Sequence, residues 1–496
     1  MSKFGNIEPA LLWKYFEDLT NIPRPSKKET AVCNFIKQAA KERNLEVRED
    51  KMGDLVVCVP ATPGFEKSPI VMLQGHVDMV TEKNADTDFD FDTQPIPAYV
   101  DGEWIRTRGT TLGADNGIGV AAALALMDEK SSIHGPLELL FTVDEETGLS
   151  GATNLDGSMI KSKIMLNLDS EEEGIFYIGC AGGSTGYAKL SAKSSLTPDH
   201  HTTFAVKVRG LMGGHSGMNI IDNRGNALKL LVRTLESISE KSDFRIATIQ
   251  GGSKHNAIPR EAFAEIALPT NKKPQVEAAV KAFSNIAKCE FGSAENNLEV
   301  TIEELKNSDK DSEKTNRKNT FEVQDSLRLM QLLLAFPHGV HTMSRDLHGL
   351  VETSSNLAII DTQKDGFAIT TSVRSSIAEA RDALANEILA LCKLVGCEAN
   401  FTDGYPAWRP NPHSPLLARA TELWEKKTGQ KPHATAVHAG LECGVILEKC
   451  PGLDILSFGP DIRGAHSPAE CCHIKSTERF YVFLKDLLEN IAKNPL

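Results

Sequence analysis

Three strand-length apolar runs in the first 170 residues end on acidic side chains, and a fourth acidic position stands directly before a long apolar helical run. VMLQGHVDMV carries His76 and Asp78, LELLFTVDEETG carries Glu145 and Glu146, IMLNLDSEEEG carries Asp169, and TLGADNGIG carries Asp115. Adjacent like charges repel, so Glu145 and Glu146 need positive charge close by. Strands alternating with helices predict a mixed or parallel sheet covered on both faces. Sheets of that kind carry their sites at the carboxyl ends of the strands. The acidic strand ends therefore predict a polynuclear metal site with one glutamate left over for proton transfer.

A chain of 496 residues exceeds one ordinary core, which predicts at least two domains. The net charge of −13, from 54 basic and 67 acidic residues, argues against a general binder of nucleic acid or anionic membrane. No apolar stretch approaches the roughly 20 residues that span a bilayer. The opening segment MSKFGNIEPALLWKYFEDL has charges inside its apolar pattern, so it reads as an amphipathic helix and not as a signal peptide. The ten cysteines form no CxxC pair, and in a chain this long a reducing, cytoplasmic setting fits them best.

Helical periodicity covers about 8–20 and 27–43, the latter opened by a capping box from Ser26 to Glu29. Strands are predicted at 54–60, 69–76, 137–144, 163–169 and 174–179, with a buried helix at 116–130. GCAGGSTG (179–186) lacks the Lys-Ser/Thr ending of a phosphate loop and reads as a turn or interdomain hinge. A new texture begins near 187. One set of strands and helices runs to 305, a polar run (307–320) reads as a surface loop or link, and a second set follows around the Lys364-Asp365-Gly366 turn. The two sets resemble an internal duplication of one α/β unit. After Pro406 and Pro410 the first texture resumes, with a helix near 414–427, the strand LDILSFGP and a final helix at 476–493; glycine-rich HAGLECG and GAHSPAE lie between. The expected plan is a domain of residues 1–186 and 405–496 interrupted by an insertion, 187–404.

His76 and Asp78 share one face of an extended segment, because strand side chains alternate. Carboxylates with imidazole and no thiolate suit Zn²⁺, Mn²⁺ or Co²⁺. Two ions about 3.5–4 Å apart need a bridging group, which Asp115 can supply. His76, Asp169, Glu146 and one distant histidine would complete the set. His466 in GAHSPAE fits best, with His438, His433 and His473 as rivals on spacing alone.

Together, GHVDMV, GADNGIG, FTVDEETGLSGA, LNLDSEEEG, GGHSG and GAHSPAE resemble the co-catalytic zinc peptidases of the aminoacylase/carboxypeptidase family, the M20 group. GCAGG, HAGLECG, VETSSNLA and NIPRPSKKE further resemble its aminoacyl-histidine dipeptidase branch, the carnosinase-like Xaa-His dipeptidases. The resemblance spans nearly the whole chain. It implies an α/β fold: a zinc-peptidase-type catalytic domain with a mixed central sheet flanked by helices, plus an inserted α+β lid, duplicated if the two sets above correspond. It implies two divalent ions, zinc first, with cobalt or manganese as alternatives. Asp115 would bridge them, His76 and Asp169 would hold one, and Glu146 and His466 the other. Asp78 would orient His76, and Glu145 would be the general base. His215 in GLMGGHSGMN resembles the lid histidine that stabilises the oxyanion. Arg374 would clamp a substrate carboxylate, Asn256 and Gly440 would approach the substrate, and Glu442 would meet its amine or cap a turn. The implied activity is hydrolysis of Xaa-His and other dipeptides in the cytoplasm; another amidohydrolase of the group (an aminoacylase, tripeptidase or carboxypeptidase) is the alternative. A non-catalytic scaffold would be expected to have lost Glu145 or a ligand, and none is lost. The expected partner is a small peptide, with no nucleic acid or membrane. The inserted domain would form a homodimer, or its doubling would supply both halves within one chain.

Overall fold

The computed structural model describes residues 3–305 and 319–496. The chain divides into two compact units, Met1–Cys180 with Trp408–Ala436 and Leu441–Leu496, and Ala181–Ala407 with Val437–Gly440.

The first unit is built on an eight-stranded sheet, counted among the described residues. Its order is Glu46–Glu49, Leu55–Val59, Leu137–Thr142, Val71–His76, Ile164–Asn167, Asp454–Ser457, Ile175–Cys180 and His433–Val437. The central pairs, from Leu137–Thr142 across to Asp454–Ser457, are parallel, and the flanking pairs Glu46–Glu49/Leu55–Val59 and Leu55–Val59/Leu137–Thr142 are antiparallel. Strands covered on both faces read as continuous apolar runs, and every residue of VMLQGH and LELLFT is buried. The parallel centre makes the strands carrying His76, Glu145/Glu146 and Asp169 end at the same edge. Helix Ala114–Leu126 packs on the strand Val71–His76 and against helix Ala10–Thr20. Asp115 and Asn116 depart from helical angles at its start, and the peptide between them is cis.

The predicted second helix is shorter, Thr30–Glu42, and has no capping box. Tertiary bonds outcompete the local ones: Ser26 Oγ donates to Asp78 Oδ2 at 2.7 Å, and Glu29 Oε1 accepts the N–H groups of Lys27 and Asp144. HAGLECG is likewise not all connection, because helix Glu442–Lys449 starts inside it and buries Val445 and Ile446.

The second unit contains a nine-stranded sheet among the described residues. Along its main path the order is Glu299–Glu304, His201–Arg209, Ala262–Pro269, Arg245–Gly251, Val351–Gln363, Gly366–Ser375, Gly182–Ser191 and Glu398–Phe401, with Gly339–Met343 paired to Val351–Gln363. Apart from Gly339–Met343, each half runs strand, helix, strand, strand, helix, strand along this sheet. Its strands lie in the spatial order fourth, first, third, second, and the halves meet through their second strands at Gln250↔Asp361 and Gly251↔Ile360. The first half is inserted between the first strand and first helix of the second half. The polar run 307–320 lies outside the described residues except for Asn319 and Thr320, which begin the short strand Asn319–Phe321.

The glycine run at 182–186 is not a turn but the start of the ten-residue strand Gly182–Ser191. A Cβ on Gly183 would sit 2.6 Å from the Tyr405 hydroxyl, and one on Gly186 2.6 Å from the Phe401 ring. Glycine is there because aromatic side chains press on the backbone, not because the chain bends.

Phe483 on the final helix, Ile474–Lys493, is fully buried, with Phe176, Trp424 and Phe458 rings at 5.5, 5.1 and 5.2 Å. Phe483→Ala should cost about 3–5 kcal/mol, read as an earlier urea-unfolding transition; an unchanged midpoint would show that this cluster does not hold the first unit together.

Candidate metal centre

In the first unit the acidic strand ends converge. Two triads of metal-capable side chains, His76–Asp115–Asp169 and Asp115–Glu146–His466, each have ligand atoms within 4.8 Å of one another, and they share Asp115. Asp115 Oδ1 lies 3.0 Å from His76 Nε2, and its Oδ2 lies 3.2 Å from His466 Nε2. One carboxylate thus offers a separate oxygen to each imidazole. Asp169 Oδ1 stands 3.4 Å from His76 Nε2, and Glu146 Oε2 stands 3.0 Å from His466 Nε2. Glu145 belongs to neither of these triads, although it groups with His76 and Glu146. His466 sits at φ 61°, a left-handed backbone that few side chains adopt and that recurs at ligand-gripping positions.

Asp78 ties this edge together. Its Oδ1 accepts the N–H of Glu145 at 3.1 Å, and its Oδ2 accepts the N–H of Glu146 at 3.2 Å and the hydroxyl of Ser26. Oδ1 also lies 3.3 Å from His76 Nδ1. That contact is close but poorly aligned, since Nδ1 makes no well-formed hydrogen bond, so we treat it as an electrostatic contact. Burial raises the Asp78 pKa, but His76, Ser26 and the Glu145 N–H bring it down to about 2.

The electrostatics of the cluster favour a bound cation. Burial disfavours charge on His76, yet Asp169, Asp115 and Asp78 hold its pKa well above the usual range. Contacts with Asp115 and Glu146 lift His466 to about 11. Burial opposes ionisation of Asp115, but His466 and His76 keep it well below the carboxylate range. Burial pushes Asp169 up to about 7, eased by His76 and reinforced by Asp115 and Glu146. Glu145 stands well above its ordinary value through burial, eased by His76 and raised further by Asp169, Glu442 and Glu146. A proton on an imidazole and a metal ion compete for the same lone pair, so surroundings that favour one also favour the other. Glu146 Oε1 and Asp169 Oδ1 are buried without a hydrogen-bond donor, which is costly unless a cation faces them. Hard oxygen and imidazole donors, no thiolate and two unpaired buried carboxylate oxygens fit a pair of divalent ions.

The rival histidines lie elsewhere. His473 caps the final helix by accepting the Ser476 N–H, His433 opens an exposed strand end, and His438 belongs to the second unit. Glu442 is buried, with Oε2 accepting from Gln74 Nε2 and Thr142 Oγ1, both at 2.7 Å, and Oε1 unpaired. Burial pushes it up to about 8, with His76 and Thr142 pulling the other way.

The second unit carries its own polar cluster. The Nδ1 atom of His215 accepts the N–H groups of Gly217 at 3.2 Å and Met218 at 3.1 Å. The ring proton must then sit on Nε2, which makes that atom a donor. Burial, then Arg374 and His255, lower its pKa to about 4, so the ring is neutral near pH 7. Arg374 is 7% exposed, donates from Nη1 to the Tyr405 hydroxyl and leaves Nε unpaired. Asn256 O accepts the Ser216 N–H at 2.9 Å, beside His215. A Cβ on Gly440 would fall 2.7 Å from the Tyr405 ring. His438, weighed from the sequence only as a metal ligand, instead bonds Ser354 Oγ at 2.7 Å, and burial followed by Arg374 lowers it to about 3. Tyr405 had no sequence signal; only its contacts with Arg374 and Gly440 bring it into the cluster.

This fold and metal centre are those of a metallopeptidase. The chain belongs to peptidase family M20/M25/M40, whose model matches residues 72–490. It is 39% identical to the cytosol non-specific dipeptidase of Escherichia coli (strain K12) over 99% of both chains. It is also 39% identical to the aminoacylhistidine dipeptidase of Vibrio alginolyticus, whose crystal structure superposes with a TM-score of 0.90 over 98% of this chain and 97% of that one. An aminopeptidase from Bacillus cereus, 16% identical with a TM-score of 0.56 over 98% and 100%, shares the fold.

Because ligand imidazoles must lose protons to accept an ion, divalent-ion uptake by the metal-free chain should release protons and tighten as pH rises from 6 to 8, by about tenfold per pH unit for each proton displaced. Calorimetry in buffers of different ionisation enthalpy reads this release; pH-independent affinity with no proton release would mean the ions bind elsewhere.

Proposed function

We propose that the chain is a metal-dependent dipeptidase of broad range that hydrolyses Xaa-His dipeptides, β-alanyl-histidine among them, and other dipeptides in the cytosol. The observation that carries this reading is Asp115, with one oxygen toward each imidazole, while Glu145 stands outside both triads that share it. The names of the Escherichia coli and Vibrio alginolyticus relatives support the substrate class, and the former supports the compartment.

In this reading His76 and Asp169 would hold one ion, Glu146 and His466 would hold the other, and Asp115 would be shared between them. Zinc is the expected metal, with cobalt or manganese able to take the same donors. When bound, the ions supply Lewis-acid activation of water and of the peptide carbonyl. Glu145 takes the proton from the attacking water and delivers it to the leaving amine. A carboxylate beside the triads but outside both that share Asp115 is placed for that two-way task. Asp78 keeps His76 and the Glu145–Glu146 backbone in register. His215, neutral and carrying its proton on Nε2, donates to the developing oxyanion. Arg374 pairs with the substrate carboxylate as a planar fork. Asn256 and Gly440 line the same substrate, and the unpaired Glu442 oxygen accepts its amine. The inserted region, 187–404 by sequence and Ala181–Ala407 with Val437–Gly440 in the structure, is the lid in this reading. Its doubled sheet supports a chain that is complete by itself, against a homodimer formed through the lid; light scattering in solution separates the two.

Glu145→Ala should keep both ions and lose about 10²–10⁴-fold in kcat; near-normal turnover would remove Glu145 as the base. His215→Ala should lower kcat by about 10²–10³-fold without altering metal content. A panel of Xaa-His dipeptides, other dipeptides, tripeptides and N-acyl amino acids, run with Zn²⁺, Co²⁺ and Mn²⁺ and with a chelator, tests the substrate class. Preference for tripeptides or acylated amino acids would replace the dipeptidase reading with another activity of the family.

A further inference from the structure

Two buried, oppositely charged side chains grip the backbone that presents Asp115, and neither is a candidate ligand. The first is Glu470. It is 2% exposed, and its Oε2 accepts the N–H groups of Leu112 at 2.7 Å and Gly113 at 2.9 Å, while its Oε1 accepts those of Ala114 at 2.7 Å and Asp115 at 3.2 Å. These are unpaired donors at a helix start, where Gly113, at φ 71°, supplies no side-chain cap. One carboxylate from more than 350 residues away satisfies all four. Glu470 also lies in the same segment as His466, so this bond set fixes the separation of His466 from Asp115.

The second is Arg24, from the motif NIPRPSKKE. It is 2% exposed and donates to three main-chain carbonyls: Val77 O at 2.9 Å, Asp78 O at 2.8 Å and Gly113 O at 2.5 Å. It joins the segment after His76 to the Asp115 loop, the two ends of the other triad. Ser26, two residues on, bonds Asp78 itself.

We propose that Arg24 and Glu470 are positioning residues that set the spacing of the three ligand-bearing segments, and so the affinity for the paired ions. The inference rests on the dinuclear reading above. Neither side chain reaches an ion or a substrate; each acts through backbone hydrogen bonds to Asp115 and its neighbours. A loop displaced by a fraction of an ångström would still fold but would no longer place one oxygen toward each imidazole.

The test uses the full-length protein stripped of metal, with Zn²⁺ titrated against a chromophoric chelator. Glu470→Gln keeps the size but turns an amide NH₂ toward N–H donors. Arg24→Lys keeps the charge but gives one ammonium where a fork spans two segments. Both should weaken uptake of at least one ion by about 10–100-fold. Both should lower kcat at saturating Zn²⁺, with the dipeptide KM changed by less than about threefold. Wild-type affinity and kcat in either folded variant, whatever its melting temperature, would overturn the proposal by making the grip purely structural. If Glu470→Gln fails to fold, Arg24→Lys carries the same comparison. A wild-type chain that takes up no divalent ion would overturn the dinuclear reading itself, a different failure from unchanged affinity in the variants.

Discussion

Negative charge gathered at one edge of a sheet is the constraint on which the first unit depends. Asp115, Glu146 and Asp169 have ligand atoms within a few ångströms of the two imidazoles, with Glu145 beside them and Asp78 behind, all partly or wholly removed from water. Buried like charges disfavour folding unless something compensates them. The chain compensates in two ways. The two carboxylates that frame the site are filled by donors: Asp78 by two backbone N–H groups and a hydroxyl, Glu470 by four N–H groups. In the triads, Asp115 meets only imidazoles, and Glu146 and Asp169 each keep a buried oxygen that meets no donor.

The second unit carries a polar cluster of a different kind. Arg374 and the neutral His215 sit in one cluster with His255 and His438, and the guanidinium disfavours protonation of all three rings. A cation surrounded by neutral donors is suited to holding carboxylate and oxyanion oxygens. The doubled sheet is continuous: its halves pair at Gln250↔Asp361 and Gly251↔Ile360, and Ile249 and Thr362 add a main-chain-to-hydroxyl bond beside that seam.

Much of this was legible in the sequence where the signal is local. Strands ending in acids, the long helix after Asp115 and the repeated α/β pattern all follow from periodicity, and the fold carries each of them with bounds shifted by a few residues. Local signals misled where tertiary partners outcompete them. Ser26 and Glu29 form a good capping box on paper, but both turn to Asp78 and Asp144 instead. The glycines of GCAGGSTG look like a bend, but they lie in a strand because Tyr405 and Phe401 occupy the space of their side chains. Arg24 and Glu470 sat inside quoted motifs without a role, because nothing in a linear pattern says that a side chain bonds the backbone of a distant loop.

By itself the sequence determined which residues could serve: which strands end in carboxylates, that no thiolates stand among them, and that two like units follow in the inserted region. Only the tertiary structure decided which of them meet. It drew His466 to Asp115 and sent His438 to Ser354 and His473 to a helix cap. Side-chain period and propensity are set by neighbours a few residues apart. The closure of 24, 76–78, 112–115 and 466–470 onto one point spans hundreds of residues, and it is held by buried hydrogen bonds between segments far apart in the chain, which no local pattern encodes.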